Sequence, residues 1–252
     1  FERIHRESSA FVPRPRVVIG VPLEVTEVER KAVGDAVLSA GARDVYIVEE
    51  PVAAAIGVGM PISDPVGNMI VDIGGGTTEI AVISLNGVVT AKSIAMAGDE
   101  MNRNIVQYAR DVFNLLLGER VAEEVKIAAG SAMSLDTPIE VPIRGRDLLS
   151  GLPREITVND GQIRESLSRS VKAILEHIKS ILEITPPELV ADIYRRGILL
   201  SGGGALLRGL DAAIAESTGL TVRIADEPLS AVARGAGMLL EMMAGDELAE
   251  VL

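Results

Sequence analysis

Two apolar periods take turns along the chain. VVIGVP (17–22), DVYIVEE (44–50), IAVISL (80–85) and GILL (197–200) are short apolar, β-branched runs of the kind that form buried strands. Between them, apolar residues three and four apart predict helices. TEVERKAVGDAVLSAG (26–41) is opened by a capping box of Thr26 and Glu29 and stopped by Gly41. PVAAAIG starts at Pro51, where a first helical turn tolerates proline, and its small residues suit close packing against a neighbour. The Gly/Pro-rich stretch 57–67 marks a domain boundary. Residues 68–94 read as a strand meander with Asn86-Gly87 as a type I′ turn. A helix from Asp99 to Leu117 ends at Gly118, a second runs through 119–130, and short strands follow at 139–143 and 155–158. Ile163, Leu167, Val171, Ile174, Ile178 and Leu182 line one face of a long helix that Pro186 and Pro187 stop. Strand GILL, turn SGGG, a helix over 205–219, strand TVRI and a helix from Ser230 complete the alternation, which is that of an α/β protein.

Composition narrows what such a fold does. With 252 residues and 48% hydrophobic content, there is ample core for one large domain or two smaller ones. Aromatics are 2% of the chain and Trp is absent, so stacking platforms for single-stranded nucleic acid are largely missing. A net charge of -12 argues the same way, because a phosphate-backbone binder carries a basic footprint; nucleic acid is not an expected partner. The absence of Cys removes disulfides, thiolate metal sites and Cys nucleophiles, and fits a reducing compartment. His5 and His177 are too few and too far apart for a zinc centre. No uncharged apolar run reaches 18 residues and no secretory signal is visible, so no membrane-spanning helix is expected.

Two strand-to-glycine-turn stretches carry the candidate chemistry: VDIGGGTT (71–78) and LLSGGGALL (199–207). Glycines at a strand end permit positive φ and put no side chain in the way, so successive N–H groups can turn toward an anion. Asp72 adds a carboxylate suited to Mg²⁺, reached through the waters that this ion keeps. One isolated triplet is equally well a tight turn; two, the first flanked by Asp72, Thr77 and Thr78, favour phosphate plus metal. Neither is a G-x-x-x-x-G-K-[ST] loop or a G-x-G-x-x-G followed by an acid, which excludes the P-loop and Rossmann readings. Glu123 and Lys126, three apart on one helix face, either reach a ligand together or form an exposed ion pair.

RVVIGVP, VEEPVAAAIG, IVDIGGGTTEIAVISLNG, AGDEM, GERVAEEVKI, RGRDLLSGLPREI and RGILLSGGGALLRGLD occur in the order seen in the MreB family of bacterial actin homologues. The chain resembles that family from about Arg16 to Met243. Several of these motifs are common to the actin-like ATPase superfamily, whereas RGRDLLSGLP and SGGGALLRGLD point to MreB. The resemblance implies an α/β actin-like ATPase (ribonuclease H-like) fold with two domains around a cleft for ATP and Mg²⁺. Residues 1–62 would be a partial first domain, a remnant of subdomain IA. Residues 63–252 would be the second, IIA with a IIB insertion at about 99–164. It further implies head-to-tail protofilaments that determine bacterial cell shape, in the cytoplasm at the inner face of the cell membrane, with cell-wall morphogenesis proteins as partners.

Residue by residue, Asp72 matches the family's metal-associated aspartate, and Gly74, Gly75, Gly76 and Thr77 its phosphate-contacting backbone. Glu50 matches the acid that orients the attacking water, a positioning role that phosphoryl transfer requires. Without the resemblance it reads equally as a surface acid before a Pro-started helix. Gly202, Gly203 and Gly204 match the adenosine-side loop, and Glu123 and Lys126 would reach ribose and adenine. The family's first phosphate loop, a strand ending in Asp-(Ile/Leu)-Gly-Thr, has no counterpart in this sequence. Losing one preorganised donor of transition-state charge costs about 3 kcal/mol, and a whole loop more. The expectation is a slow ATPase when that loop is supplied and poor hydrolysis by the chain as it stands. A chaperone-type ATPase domain or a sugar or acetate kinase of the same superfamily is the competing reading. The first would require a following substrate-binding domain and linker, the second an acceptor pocket and a base.

RIHRESSAFVPRPR (3–16) sets Ala10, Phe11 and Val12 among Arg3, Arg6, Arg14 and Arg16, a pairing suited to an anionic membrane surface. The family's membrane-contacting hydrophobic loop lies at the corresponding place; the plain alternative is a leader into the first strand. Burying the tip contributes about 4 kcal/mol at ~25 cal/mol per Å², which is on the order of millimolar affinity. One subunit would barely bind, and a filament would bind by avidity. Polymer floated with anionic liposomes should therefore lose its membrane association in Phe11→Ser; unchanged flotation would exclude the tip.

Overall fold

The structure, a computed structural model, describes residues 14–244. Ala10, Phe11 and Val12 lie outside the described residues. Strands β1 (Arg16–Val21) and β2 (Asp44–Glu49) form a parallel pair joined through helix α1 (Glu27–Ser39). The Thr26–Glu29 capping box opens α1 with both of its hydrogen bonds in place. Glu50, expected as the last strand residue, instead starts α2 (Glu50–Gly57), because Pro51 fits a first helical turn and sets the boundary one residue earlier.

A five-stranded sheet, in the order β10-β9-β3-β4-β5, forms the centre. It consists of β3 (Asn68–Ile73), β4 (Thr78–Ser84), β5 (Gly87–Ile94), β9 (Ile198–Ser201) and β10 (Val222–Ile224). β3 and β4 are buried along their whole length, as expected of strands covered on both faces. The strand period divides their side chains between two cores. Met69, Val71, Ile73, Ile80 and Val82 enter one with α3 (Gly98–Phe113), α4 (Glu119–Ala129) and α5 (Asp160–Ile184). Ile70, Ala81 and Ile83 enter the other with α2 and α8 (Ala231–Ala244). A second sheet of β6 (Leu115–Leu116), β7 (Glu140–Asp147) and β8 (Pro153–Asn159) stands beyond α3. The face expected of the long helix is buried in α5 at Ile163, Leu167, Val171, Ile174 and Ile178.

Several local expectations change. Ser84 pairs with Gly87, so the hairpin's central residues are Leu85 and Asn86, at φ 50° and 60°, in place of Asn86-Gly87. A register shift at Val82/Ile83 moves the turn by a residue, and the N–H groups of Leu85 and Asn86 donate to the carbonyls of Asp64 and Ile62. The helix expected to reach Leu117 ends at Phe113 with Asn114 left-handed, because fully buried Leu115 pairs with Asp147 in a sheet. Residues expected as one helix from Ala205 form a 3₁₀ turn, Gly203–Leu206, then α7 (Leu210–Thr218), with left-handed Gly209 separating them. The helix over Pro187–Arg196, which lies between α5 and β9 and is here α6, was not expected: Pro186 and Pro187 read as a stop, whereas Pro187 sits in the first turn of a new helix, which tolerates proline.

The small residues of α2 find their partner in α8. A Cβ on Gly235 would lie 1.8 Å from the Ala53 carbonyl oxygen, and one on Gly57 would lie 2.0 Å from that of Ala231. The two helices touch backbone to backbone, which joins the β1–β2 unit to the central sheet. Gly235→Ala should therefore lower the unfolding free energy by about 2 to 3 kcal/mol through overpacking. Gly237→Ala, where an added Cβ meets nothing within 4 Å, should be neutral or slightly stabilising in the same denaturation experiment.

Candidate functional site

β3 and β9 run parallel with Asp72 opposite Ser201, so both strands deliver their glycine turns to the same end of the sheet. The second turn needs glycine to fit. Gly202 has φ 78°, and a Cβ there would lie 2.3 Å from the Ile73 oxygen; one on Gly204 would lie 2.2 Å from Ile73 Cγ2. The first turn is fixed through its carbonyls. The Gly98 and Asp99 N–H groups, at the start of α3, donate to Gly74 O (3.1 Å) and Gly75 O (2.8 Å), and Gly74 N–H donates to Thr77 O. Gly75 and Gly76 are exposed, and among the described residues their N–H groups donate to no protein acceptor. Unlike Gly202, none of Gly74, Gly75 and Gly76 has positive φ, so the first turn does not use the conformational freedom expected of its glycines; its open N–H groups still suit an anion.

Glu50, Asp72, Gly74, Gly75, Gly76, Thr77, Glu123, Lys126, Gly202, Gly203 and Gly204 all line a single cavity of about 730 Å³. All the sequence-derived candidates among the described residues are thus brought together, from four separate stretches of chain. The volume and the mixture of polar turns with apolar wall, Ile127, Leu206 and Leu207 among it, are those of a small-molecule site.

The electrostatics of the cavity are strained at one end. Asp72 is buried and accepts the Ser201 hydroxyl at 2.6 Å. Burial raises its carboxyl above the ordinary range, the Ser201 hydrogen bond opposes that, and the charge of Glu79 adds to it. Glu50 is raised by burial first, then by the charges of Asp72 and Glu79. Glu79 was not anticipated. It is fully buried in β4, accepts the Ser93 hydroxyl at 2.6 Å and the Leu23 N–H at 3.2 Å, and so ties the loop after β1 to the sheet. A lone acid directly before the apolar run IAVIS (80–84) was the available signal for it, and Ser201, just before the second triplet, had none.

These carboxylates favour a cation. Among the described residues no three carboxylate or His side chains come together as metal ligands. Asp72, with Glu50 lining the same cavity, is the carboxylate that would hold a hydrated ion of the Mg²⁺ kind through its water shell. At the other end, Lys126 donates to the Gly98 carbonyl at 3.0 Å, and burial lowers its pKa against the opposing charges of Glu123 and Asp99. Lys126 and Glu123 both line the cavity, Lys126 partly buried and Glu123 exposed, and among the described residues they form no ion pair with each other.

A family model of the MreB/Mbl protein matches residues 1–247. The cell shape-determining protein MreB of Escherichia coli K12 is 48% identical over 237 residues, which cover 94% of this chain and 68% of that protein. Mbl of Bacillus subtilis 168 is 49% identical over 230 residues, 91% of this chain and 69% of that protein. The crystal structure of MreB5 of Spiroplasma citri bound to ADP superposes with a TM-score of 0.92 at 36% identity, covering 98% of this chain and 73% of that one. The same protein bound to AMPPNP matches at 0.92 and 35%. The MamK double helical filament, at 0.78 and 22% identity over 95% of this chain and 73% of that one, shares the fold. The fold is actin-like. On the family match across nearly its whole length, the chain belongs to the MreB/Mbl family.

Proposed function

We propose that this chain binds ATP with Mg²⁺ in the cavity and assembles head to tail into filaments that determine cell shape at the inner membrane surface. The observation that carries it is the meeting of two glycine turns, distant in sequence, beside a buried aspartate. The relatives support it: the curated ones are named cell shape-determining proteins, and the solved MreB5 holds ADP or AMPPNP. The family match leaves the chaperone and kinase alternatives without support.

In this proposal Gly75 and Gly76 direct N–H groups at phosphate oxygens, and Asp72 orients the hydrated ion, which supplies charge neutralisation when bound. Glu50 orients a water for attack on the terminal phosphorus. Glu123 and Lys126 hold ribose and adenine against the Gly202–Gly204 turn. Residues up to 62 form the first domain and the remainder the second, with 99–164 as its insertion.

Two apolar patches at opposite poles suit head-to-tail assembly. Asp147 accepts the N–H groups of Ser150 and Leu149, the Ser150 hydroxyl and the Arg154 guanidinium. The Ser150 N–H, then Arg154 and the Ser150 hydroxyl, hold its carboxyl down to about 2. That network fixes a turn that displays Leu149, 83% exposed, between Leu148 and Leu152. At the other pole lie Leu85, in the β4–β5 hairpin, and Ile184, at the end of α5, each 65% exposed; Thr90 of β5 and Thr185 after α5 meet through their hydroxyls at 2.9 Å. α3 and α5 run antiparallel, with Asn104 bonded to Ser170 and Tyr108 to Glu165. The leucine turn, bonded to Asn114 beyond the end of α3, is therefore at the amino end of α5, and Ile184 is at its carboxyl end. The 25 residues of α5 separate them by about 37 Å. Different patches at opposite poles make a heterologous, non-closing contact, which propagates.

Mg-ATP should make the protein sediment, and Leu149→Asp should abolish pelleting while nucleotide affinity is retained; pelleting at the parent level would remove the leucine turn from the contact. A second expectation concerns charge. A carboxyl raised in the folded state weakens folding at pH above that raised pKa, and the penalty disappears as pH falls through it. Asp72→Asn, which keeps an oxygen for Ser201, should stabilise the ligand-free protein by about 1 kcal/mol at neutral pH. It should also eliminate the Mg²⁺ dependence of nucleotide binding; a variant no more stable than the parent, or still Mg²⁺-dependent, would contradict the role given to Asp72.

A further inference from the structure

A second cavity, of about 530 Å³, shares no lining residue with the first and lies toward the opposite ends of β3 and β9. It is bounded by the loop Gly57–Pro61 after α2, by Asn68 and Gly197 at the starts of those strands, by β10, and by Arg234 of α8. Strand register explains why it is open. Ile70, Leu199 and Arg223 stand opposite one another across β3, β9 and β10, on the face that α2 and α8 cover. The helices bury Ile70 completely, Leu199 only partly, and leave Arg223 exposed. The apolar row thus ends in a guanidinium at the sheet's edge strand.

Three arginines line this cavity, in a chain whose net charge is -12. Arg196 donates to Asn68 Oδ1 at 3.3 Å and lies 4.0 Å from Asp64. Arg223 donates to the Arg196 carbonyl and, among the described residues, forms no ion pair. Arg234 meets the Glu227 carboxylate at 3.3 Å and the Asp226 carbonyl at 2.6 Å, but its buried Nε–H has no acceptor. A buried unsatisfied donor is costly, and guanidinium forks match carboxylates in geometry. Asp226 also lines the space, and Asp64 and Glu227 pair with Arg196 and Arg234, so Arg223 is the guanidinium there that has no ion-pair partner among the described residues.

We infer that this cleft is a second binding site, for an extended acidic peptide segment of a partner protein whose carboxylates pair with Arg223 and its neighbouring arginines. The chemistry favours a peptide over a lone small anion. The guanidiniums come from three different elements, and Val58, Met60 and Leu199 set apolar surface beside them. In an extended chain alternate side chains share one face at about 7 Å spacing, so acids alternating with small apolar residues offer charge to one wall and apolar surface to the other. β10 also ends the sheet and pairs only with β9 among the described strands, which leaves an edge beside which an extended chain can lie. The cleft adjoins the α2–α8 contact, so an occupant would touch both units that flank the first cavity.

The probe is a fluorescein-labelled octapeptide of alternating Glu and Val, titrated with the full chain and followed by anisotropy. The expected result is saturable binding that Mg-ATP does not displace, weakened about tenfold in Arg223→Glu and less in Arg223→Lys, consistent with loss of a charge-assisted fork. A peptide with Gln in place of Glu should also bind about tenfold more weakly. Arg223 is exposed at a sheet edge, and Arg223→Gln, with circular dichroism to verify folding, provides a second variant. The inference is overturned by absence of saturable binding, by equal affinity for the Gln peptide, or by parent affinity in folded Arg223 variants. Complete displacement by excess inorganic phosphate would likewise overturn it, in favour of a site for a small anion.

Discussion

The hydrogen bond of 2.6 Å from Ser201 to Asp72 joins two strands that are 129 residues apart in the chain, and the cleft is arranged around it. Parallel pairing of β3 with β9 puts the carboxyl ends of both strands at one edge, so each must turn there. The turns cannot separate, because Gly202 and Gly204 rest against the backbone and side chain of Ile73 at distances no Cβ would permit. A carboxylate is therefore held in a buried position next to open N–H groups. An anion and a cation together answer that arrangement better than either alone, since each offsets the charge that would strain the other.

Around this point the fold joins two units by contacts of different kinds. Behind the cleft, α2 and α8 meet through glycine and alanine backbones, a contact that tolerates little adjustment. At its mouth, Glu79 reaches from the centre of the sheet to the Leu23 N–H and Ser93, a polar connection whose charge also bears on Glu50 and Asp72. The packed contact resists sliding. The polar one senses charge in the cleft. The arginine-lined cavity lies on the other side of the same helix contact.

The apolar surface left outside is concentrated at the poles. Leu149 is displayed by a turn that Asp147 nails in place with four hydrogen bonds. Ordering the turn beforehand reduces the entropy lost when it meets a partner. Leu85, held at positive φ by the neighbouring loop, is displayed in a comparable way at the far pole. Two exposed apolar patches of unlike shape, about a helix length apart, are a liability for a monomer and a resource for a polymer.

Much of the site was legible in the chain itself. The glycine triplets and Asp72 stood out because strand ends and strand and helix periods are local features, whereas Glu50 was singled out only by the family resemblance and the spacing of Glu123 and Lys126 left two readings open. Even Thr26–Glu29 acts within one turn. What sequence could not supply depended on contact between distant segments. Glu79 looks like one charge in an apolar strand until Leu23 and Ser93 are seen around it. Ser201 has a role only because β9 pairs with β3, and Leu115 leaves its helix because Asp147 offers a sheet partner. The arginine cavity is likewise a product of register and of where two helices stop covering a sheet. Local chemistry therefore determined the elements and the functional groups they carry, whereas tertiary packing decided which groups became neighbours, because burial and charge interactions act through space and carry no signature along the chain.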